Sequence, residues 1–169
     1  MLTGKGIRMV QALGIASSAF LSGTMISTSI IAAPALLTPS MFYSSNHLAL
    51  QWRNLYMRGS RVGPPITLLA SSAYLFIAYT LFGNSNARSL AQLYAIAGAL
   101  TFGVVPYTMF AMKPTNDTLI LKAIDGPVQE PLSKTGETED LVERWITKNL
   151  IRGLIALGGT AVGLYATLV

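Results

Sequence analysis

Four long apolar runs divide the chain, at about 9–33, 65–82, 90–112 and 150–169. Each comes near the roughly 20 mostly apolar residues that a helix needs to cross the hydrocarbon core of a bilayer. A segment in lipid must satisfy its own backbone hydrogen bonds, so each run is read as a helix. The run 65–82 is at the short end, which predicts a helix close to the membrane normal. The run 9–33 follows Lys5 and Arg8 and ends on small residues, as a secretory signal does. It is too long and too rich in Ser and Thr for the compact core of a signal, so it is read as a retained span. The expected fold is all-α: an integral-membrane four-helix bundle forming one domain over 1–169. An amphipathic segment follows the first helix, and a polar loop, about 113–148, joins the third to the fourth.

Small residues recur at four-residue spacing along three of the runs: Gly14, Ser18 and Ser22; Ala95, Ala99 and Gly103; Gly159 and Gly163. Such stripes let helix backbones approach closely, which drives association in lipid. Composition agrees with the membrane class. The chain is 51% hydrophobic and 11% charged, against about 25% charged in soluble domains. Its net charge of +5 does not point to nucleic acid. All the acids fall between Asp117 and Glu143, and the cations elsewhere flank apolar runs, as in membrane proteins. Arg53, Arg58 and Arg61 in the first connection, with Lys113, Lys122, Arg144 and Lys148 around the third, place both connections in the cytoplasm and the termini in the lumen. The endoplasmic reticulum is the default compartment.

There is no cysteine, so disulfides, thiolate catalysis, iron–sulfur clusters and cysteine zinc sites are excluded. One histidine, with no acid in the spans, does not build a protein metal site within one chain. Within the polar loop, Pro114 is expected to stop the third helix. The stretch 125–140, "DGPVQEPLSKTGETED", reads as exposed and flexible. From about 138 the sequence turns helical, with Thr138 as its cap and acids in its first turns, and runs into the fourth span. Asn116-Asp117-Thr118 is a formal glycosylation sequon, discounted because it lies so near the third helix.

Polar chemistry concentrates in three segments. In "NHLALQWRNLYMRG" (46–59), His47, Gln51, Asn54 and Arg58 share one helix face, and Leu48, Trp52 and Leu55 the next. In "VVPYTMFAMKPTN" (104–116), Pro106 removes a backbone donor ahead of Tyr107 and Thr108, and Asn116 sits at the mouth. In "WITKNLIRG" (145–153), Trp145, Asn149 and Arg152 share a face. Four spans bring all three to one side of the membrane. Two indoles, an imidazole, amides and an arginine suit a flat aromatic ligand carrying phenol or carbonyl oxygens. The plainer readings are an interfacial helix for 46–59 and an Arg152 snorkelling to lipid phosphates.

The order of these motifs resembles the fungal anthrone oxygenase family, whose members are small integral membrane proteins. The resemblance rests on "SGTMISTSIIAAPALL", "QWRNLYMRG" followed by "GPPITLLASSAYLFIAY", "VVPYTMFAMKPTN" and "LVERWITKNLIRG". It implies oxidation of an anthrone, of which emodin anthrone is the type, to an anthraquinone by dioxygen in polyketide biosynthesis. It also implies no organic cofactor, and the chain has no GxGxxG motif. His47 is then the expected base, since imidazole exchanges protons readily near neutrality. Tyr107, or a water held by Asn116, stands next. Arg152 would stabilise the oxyanion, Asn116 and Asn149 would orient oxygens, and Trp52 and Trp145 would stack on the rings, with Arg58 and Tyr107 in the wall. The expected partners are the aromatic substrate, dioxygen and lipid. A non-catalytic scaffold using its acidic loop is the alternative. A transporter would need ionisable groups in mid-membrane, and the chain has almost none.

Overall fold

The computed structural model describes residues 4–38, 45–124 and 136–169. Four helical segments are long and apolar enough to cross a membrane: α1 (Gly4–Leu36), α2 (Ser45–Phe82), α3 (Ser85–Ile124) and α4 (Glu137–Leu168). They alternate in direction. Each packs against its neighbours in the chain, and α4 closes the ring against α1. A helix rises about 1.5 Å per residue, so all four outrun a hydrocarbon core of about 30 Å.

Two spans differ from expectation in length. The amphipathic segment 46–59 is not a separate surface helix: it continues through Pro64 and Pro65 into the second span as one helix. Those prolines leave the carbonyls of Ser60 and Arg61 without their usual donors, yet fit because they sit on an exposed side. Pro114 does not stop α3, which runs on to Ile124. Most of the expected polar loop is therefore helical, and the stretch 125–135 lies outside the described residues. Gly136, in the left-handed region at φ 98°, opens α4. Thr138, the expected cap, is buried within the first turn instead. Asn116 is buried inside a helix, which closes its sequon to a sugar.

Helices α1 and α3 each contain a wide, π-helical turn, at Thr28–Ala32 and Thr108–Met112. In both, the residue just before a proline bonds five residues back: Ala33 N–H to the Thr28 carbonyl, and Lys113 N–H to the Thr108 carbonyl. A proline ring crowds the preceding turn of an α-helix, and the wide turn gives it room while keeping the backbone bonded.

Close approach holds the terminal half of the bundle together. A Cβ at Gly163 would fall on the Tyr74 ring. One at Gly159 would lie 2.5 Å from Thr101 Oγ1 and 3.0 Å from the Ala97 carbonyl. Tyr74 hydrogen-bonds Ser18, which accepts from Thr160; Tyr94 bonds Gln11 and Thr167. Gly14, Ser18 and Ser22 are buried as expected. The Ala95, Ala99, Gly103 stripe is not the contact: Ala99 is exposed and a Cβ at Gly103 meets nothing. The buried face of α3 passes through Ala91, Tyr94, Ala97, Gly98 and Thr101, because Tyr94 must point inward to reach its partners. Gly159→Ala is therefore expected to destabilise the protein by about 1–3 kcal/mol, the range for overpacking. Gly103→Ala is expected to be neutral or mildly stabilising. Thermal unfolding in detergent compares the two.

Candidate active site

Between Trp52 and Thr67, α2 buries no residue at all. A Cβ at Gly59 or Gly63 in this stretch would enter open space. Beside it lies a cavity of about 510 Å³ bounded by all four helices, a size usual for sites that enclose a small organic molecule. Its walls are mostly apolar, with Leu21, Met25, Ile66, Val104 and Val105 among them. The polar exceptions are few and grouped.

Asn149 and Arg152 form the centre of that group. The Asn149 side chain is completely buried, and its Nδ2 donates to the Met25 carbonyl (2.9 Å) and to Ser29 Oγ (2.8 Å). With its donor end committed to a carbonyl, its oxygen must face the other way. There it accepts from Arg152 Nη2 at 2.5 Å. Arg152 Nη1 donates to Thr108 Oγ1 at 3.3 Å. Thr108 opens the wide turn of α3, and Ser29 lies in that of α1. The two prolines thus fix where the partners of this pair sit.

Arg152 pairs with no carboxylate among the described residues. The phenols of Tyr56 and Tyr107 are within electrostatic range of it. Its Nε and the Nε1 of Trp145 are buried donors without an acceptor, and both residues line the cavity. A partly buried cation with no counter-ion among the described residues, beside two unused donors, is arranged for a ligand oxygen that carries negative charge.

Of the residues singled out in the sequence, Arg58, Trp145, Asn149 and Arg152 line the cavity. Trp52 stands behind the wall. It stacks on Tyr56 (centroids 5.0 Å apart) and meets Trp145 edge-on at 5.7 Å, within a cluster holding Leu48, Met112 and Val142. Tyr107 packs against that cluster. His47 is on the outward face, about 14 Å along the axis from Tyr56 at 1.5 Å per residue, and does not line the cavity. Asn116 is buried near the end of α3 with an unpartnered Oδ1, also outside the lining. Sequence reasoning passed over Tyr56 and Ser29. Tyr56 follows Trp52 by one helical turn, a spacing that marks the same face.

The family model described as anthrone oxygenase matches residues 52–162. That span contains Trp52, Tyr56 and Arg58 as well as Trp145, Asn149 and Arg152. The chain belongs to the anthrone oxygenase family. It is 36% identical over 166 residues to an anthrone oxygenase of Claviceps purpurea, covering 96% of this chain and 91% of that one. It is 31% identical to the anthrone oxygenase encC of Aspergillus fumigatus, over 95% of this chain and 93% of that relative. Similarity extends to the noranthrone monooxygenase of Aspergillus flavus, at 28% identity over 90% of this chain and 70% of that one. No solved structure matches. The cavity joins a mostly apolar wall to one anchored cation.

Replacing Asn149 by Leu removes its hydrogen bonds to α1 and frees Arg152. The expected loss is about 2–3 kcal/mol, from bonds of about 1 kcal/mol each and the unpartnered groups they leave. Thermal unfolding in detergent measures it.

Proposed function

We propose that this protein oxidises an anthrone to the corresponding anthraquinone with dioxygen, within the assembly of an aromatic polyketide. The observation that carries the reading is the Arg152 guanidinium, anchored by Asn149 and Thr108 in a largely apolar cavity, with no carboxylate among the described residues to neutralise it. The names of the relatives support the same chemistry.

The anthrone methylene is doubly benzylic and lies across its ring from the ketone. Loss of one methylene proton gives an aromatic anion whose charge sits largely on the ketone oxygen. Arg152 binds that oxygen and favours the anion, and Trp145 Nε1 is the neighbouring donor. The anion reduces dioxygen and combines with it at the methylene carbon; the proton taken earlier completes a hydroperoxide. The second C–H proton then leaves with the distal oxygen as water, and the carbonyl forms. One dioxygen is consumed, one oxygen atom is retained and one water is released.

Tyr56 is the lining group suited to relay that proton, since a phenol accepts one proton while passing its own on to water at the cavity mouth, and the same relay returns a proton to the peroxide. His47 does not take this role in our reading, because it stands outside the cavity. The membrane setting suits the substrate, which partitions into lipid. The scaffold alternative leaves the uncompensated cation and its unused neighbours without a purpose.

Membranes from cells expressing the protein are expected to accelerate quinone formation from emodin anthrone, above air oxidation, only when dioxygen is present. Arg152→Gln is expected to lower kcat by about 10²–10³-fold, the usual effect of losing an oxyanion donor. Tyr56→Phe should lower it by about 10²-fold or more, and His47→Ala should leave it near wild type. Full activity in Arg152→Gln would refute the reading.

A further inference from the structure

Two stretches of the chain approach this cavity in the same way. "TSIIAAP" (28–34) and "TMFAMKP" (108–114) each begin with a threonine that opens a wide turn and end on a proline. Thr28 Oγ1 donates to the Thr24 carbonyl and Thr108 Oγ1 to the Val104 carbonyl, both at 2.7 Å. The shift of 80 residues that carries Thr28 onto Thr108 also carries Thr24 onto Val104 and Met25 onto Val105; all six line the cavity.

The partner helices repeat as well. "LALQWRNLYMRG" (48–59) corresponds to "LVERWITKNLIRG" (141–153), with one residue inserted after the tryptophan. Trp52 thereby matches Trp145, and Arg58-Gly59 matches Arg152-Gly153. The shift of 94 residues that carries Arg58 onto Arg152 carries Leu55 onto Asn149, and these four also line the cavity. The α1–α2 and α3–α4 pairs run in the same sense and pack around one ring. The cavity lies between two related halves.

The reaction read above has the same near-symmetry. Anthraquinone bears two carbonyls on opposite edges of its central ring. Anthrone bears one, and its other edge is the methylene that reacts. Resting on that reading, we propose that Arg58 is the counterpart of Arg152 at the opposite edge, where it stabilises the peroxide formed as dioxygen adds to the methylene carbon. The substrate anion supplies both electrons of the new C–O bond. The outer oxygen becomes a peroxide anion facing Arg58, takes up the released proton, and departs as water when the carbonyl forms.

The differences between the halves fit two separate tasks. Arg152 is held by Asn149 and Thr108, which suits an oxygen present from the start. In the other half Leu55 replaces the amide, and Arg58 has no hydrogen bond or ion pair with any described residue. Thr28 has committed its proton to the Thr24 carbonyl, as Thr108 has to that of Val104, so the hydroxyl lone pairs of both face the cavity unused by their own helices. An arginine serving only lipid phosphates would not need this matched surrounding.

Two measurements on detergent-solubilised protein separate the roles: the spectrum of the bound anthrone anion without dioxygen, and the dependence of turnover on dioxygen concentration. Arg58→Gln is expected to form the anion like wild type, while kcat/KM for dioxygen falls at least tenfold; Arg58→Lys should recover part of it. Thr28→Val should show the same pattern more weakly, and retained binding of the quinone product checks folding. Arg152→Gln should instead fail at anion formation. A wild-type dioxygen dependence in Arg58→Gln, or a loss of anion formation there equal to that in Arg152→Gln, overturns the proposal. If wild type gives no acceleration, or Arg152→Gln forms the anion normally, the failure belongs to the reading of the reaction itself.

Discussion

A guanidinium in a mostly apolar cavity, with no carboxylate beside it among the described residues, sets the demands that the rest of this structure meets. Its charge has to be met by neutral dipoles, because an unsolvated ion is costly wherever water is scarce. Asn149 supplies the main dipole, and it does so only because its own amide hydrogens are used up by Met25 and Ser29. Ser29 lies in the wide turn of α1 and Met25 one turn before it, and Thr108 comes from the wide turn of α3. Each turn exists because a proline follows it, in a setting where lipid offers no substitute hydrogen bond. Backbone chemistry at Pro34 and Pro114 therefore reaches the guanidinium through one amide and one hydroxyl.

Keeping such a cavity open means leaving a helix partly unpacked. The middle of α2 buries nothing, so its two ends must hold it. At one end Leu48 and Trp52 lie in the aromatic cluster with Trp145. At the other, the Tyr74 ring lies directly against Gly163 and closes a chain of hydroxyls with Ser18 and Thr160. Lipid provides no hydrophobic drive between helices, so contact distance and interhelical hydrogen bonds do this holding. The glycines of the tight end and those of the loose middle serve opposite ends: Gly159 and Gly163 admit a neighbour, whereas Gly59 and Gly63 leave space.

The four spans, their alternation and the convergence of three polar segments were legible from hydropathy and spacing, since those follow from the bilayer alone. Trp145, Asn149 and Arg152 were legible because a helix places residues four and three apart on one face. What was hidden depended on tertiary partners. Proline at 114 argues locally for a stop, and only a widened turn lets the helix continue. Small residues occupy several faces of α3, and the inward direction of Tyr94 decides which face is buried. His47 and Trp52 looked equally promising on adjacent faces of 46–59; the fold turns one outward and buries the other behind the wall, and Tyr56 reaches the cavity one turn further on.

The internal correspondence is hard to see in the sequence because the two helices of each half are displaced by different amounts. The first pair of matching helices is 80 residues apart, and the second is 93 apart at the tryptophans and 94 at the arginines. No single offset aligns both, and the apolar runs between carry little identity. What reveals it is that five matched pairs, among them Thr28 with Thr108 and Arg58 with Arg152, line the same cavity. The departures from symmetry then become the informative part. A duplicated scaffold would offer two equivalent arginines, yet only one is locked by an amide. A reaction that starts with one oxygen on the ring and ends with two needs that inequality: one edge must be recognised before chemistry begins, and the other must wait for an oxygen that has not yet arrived.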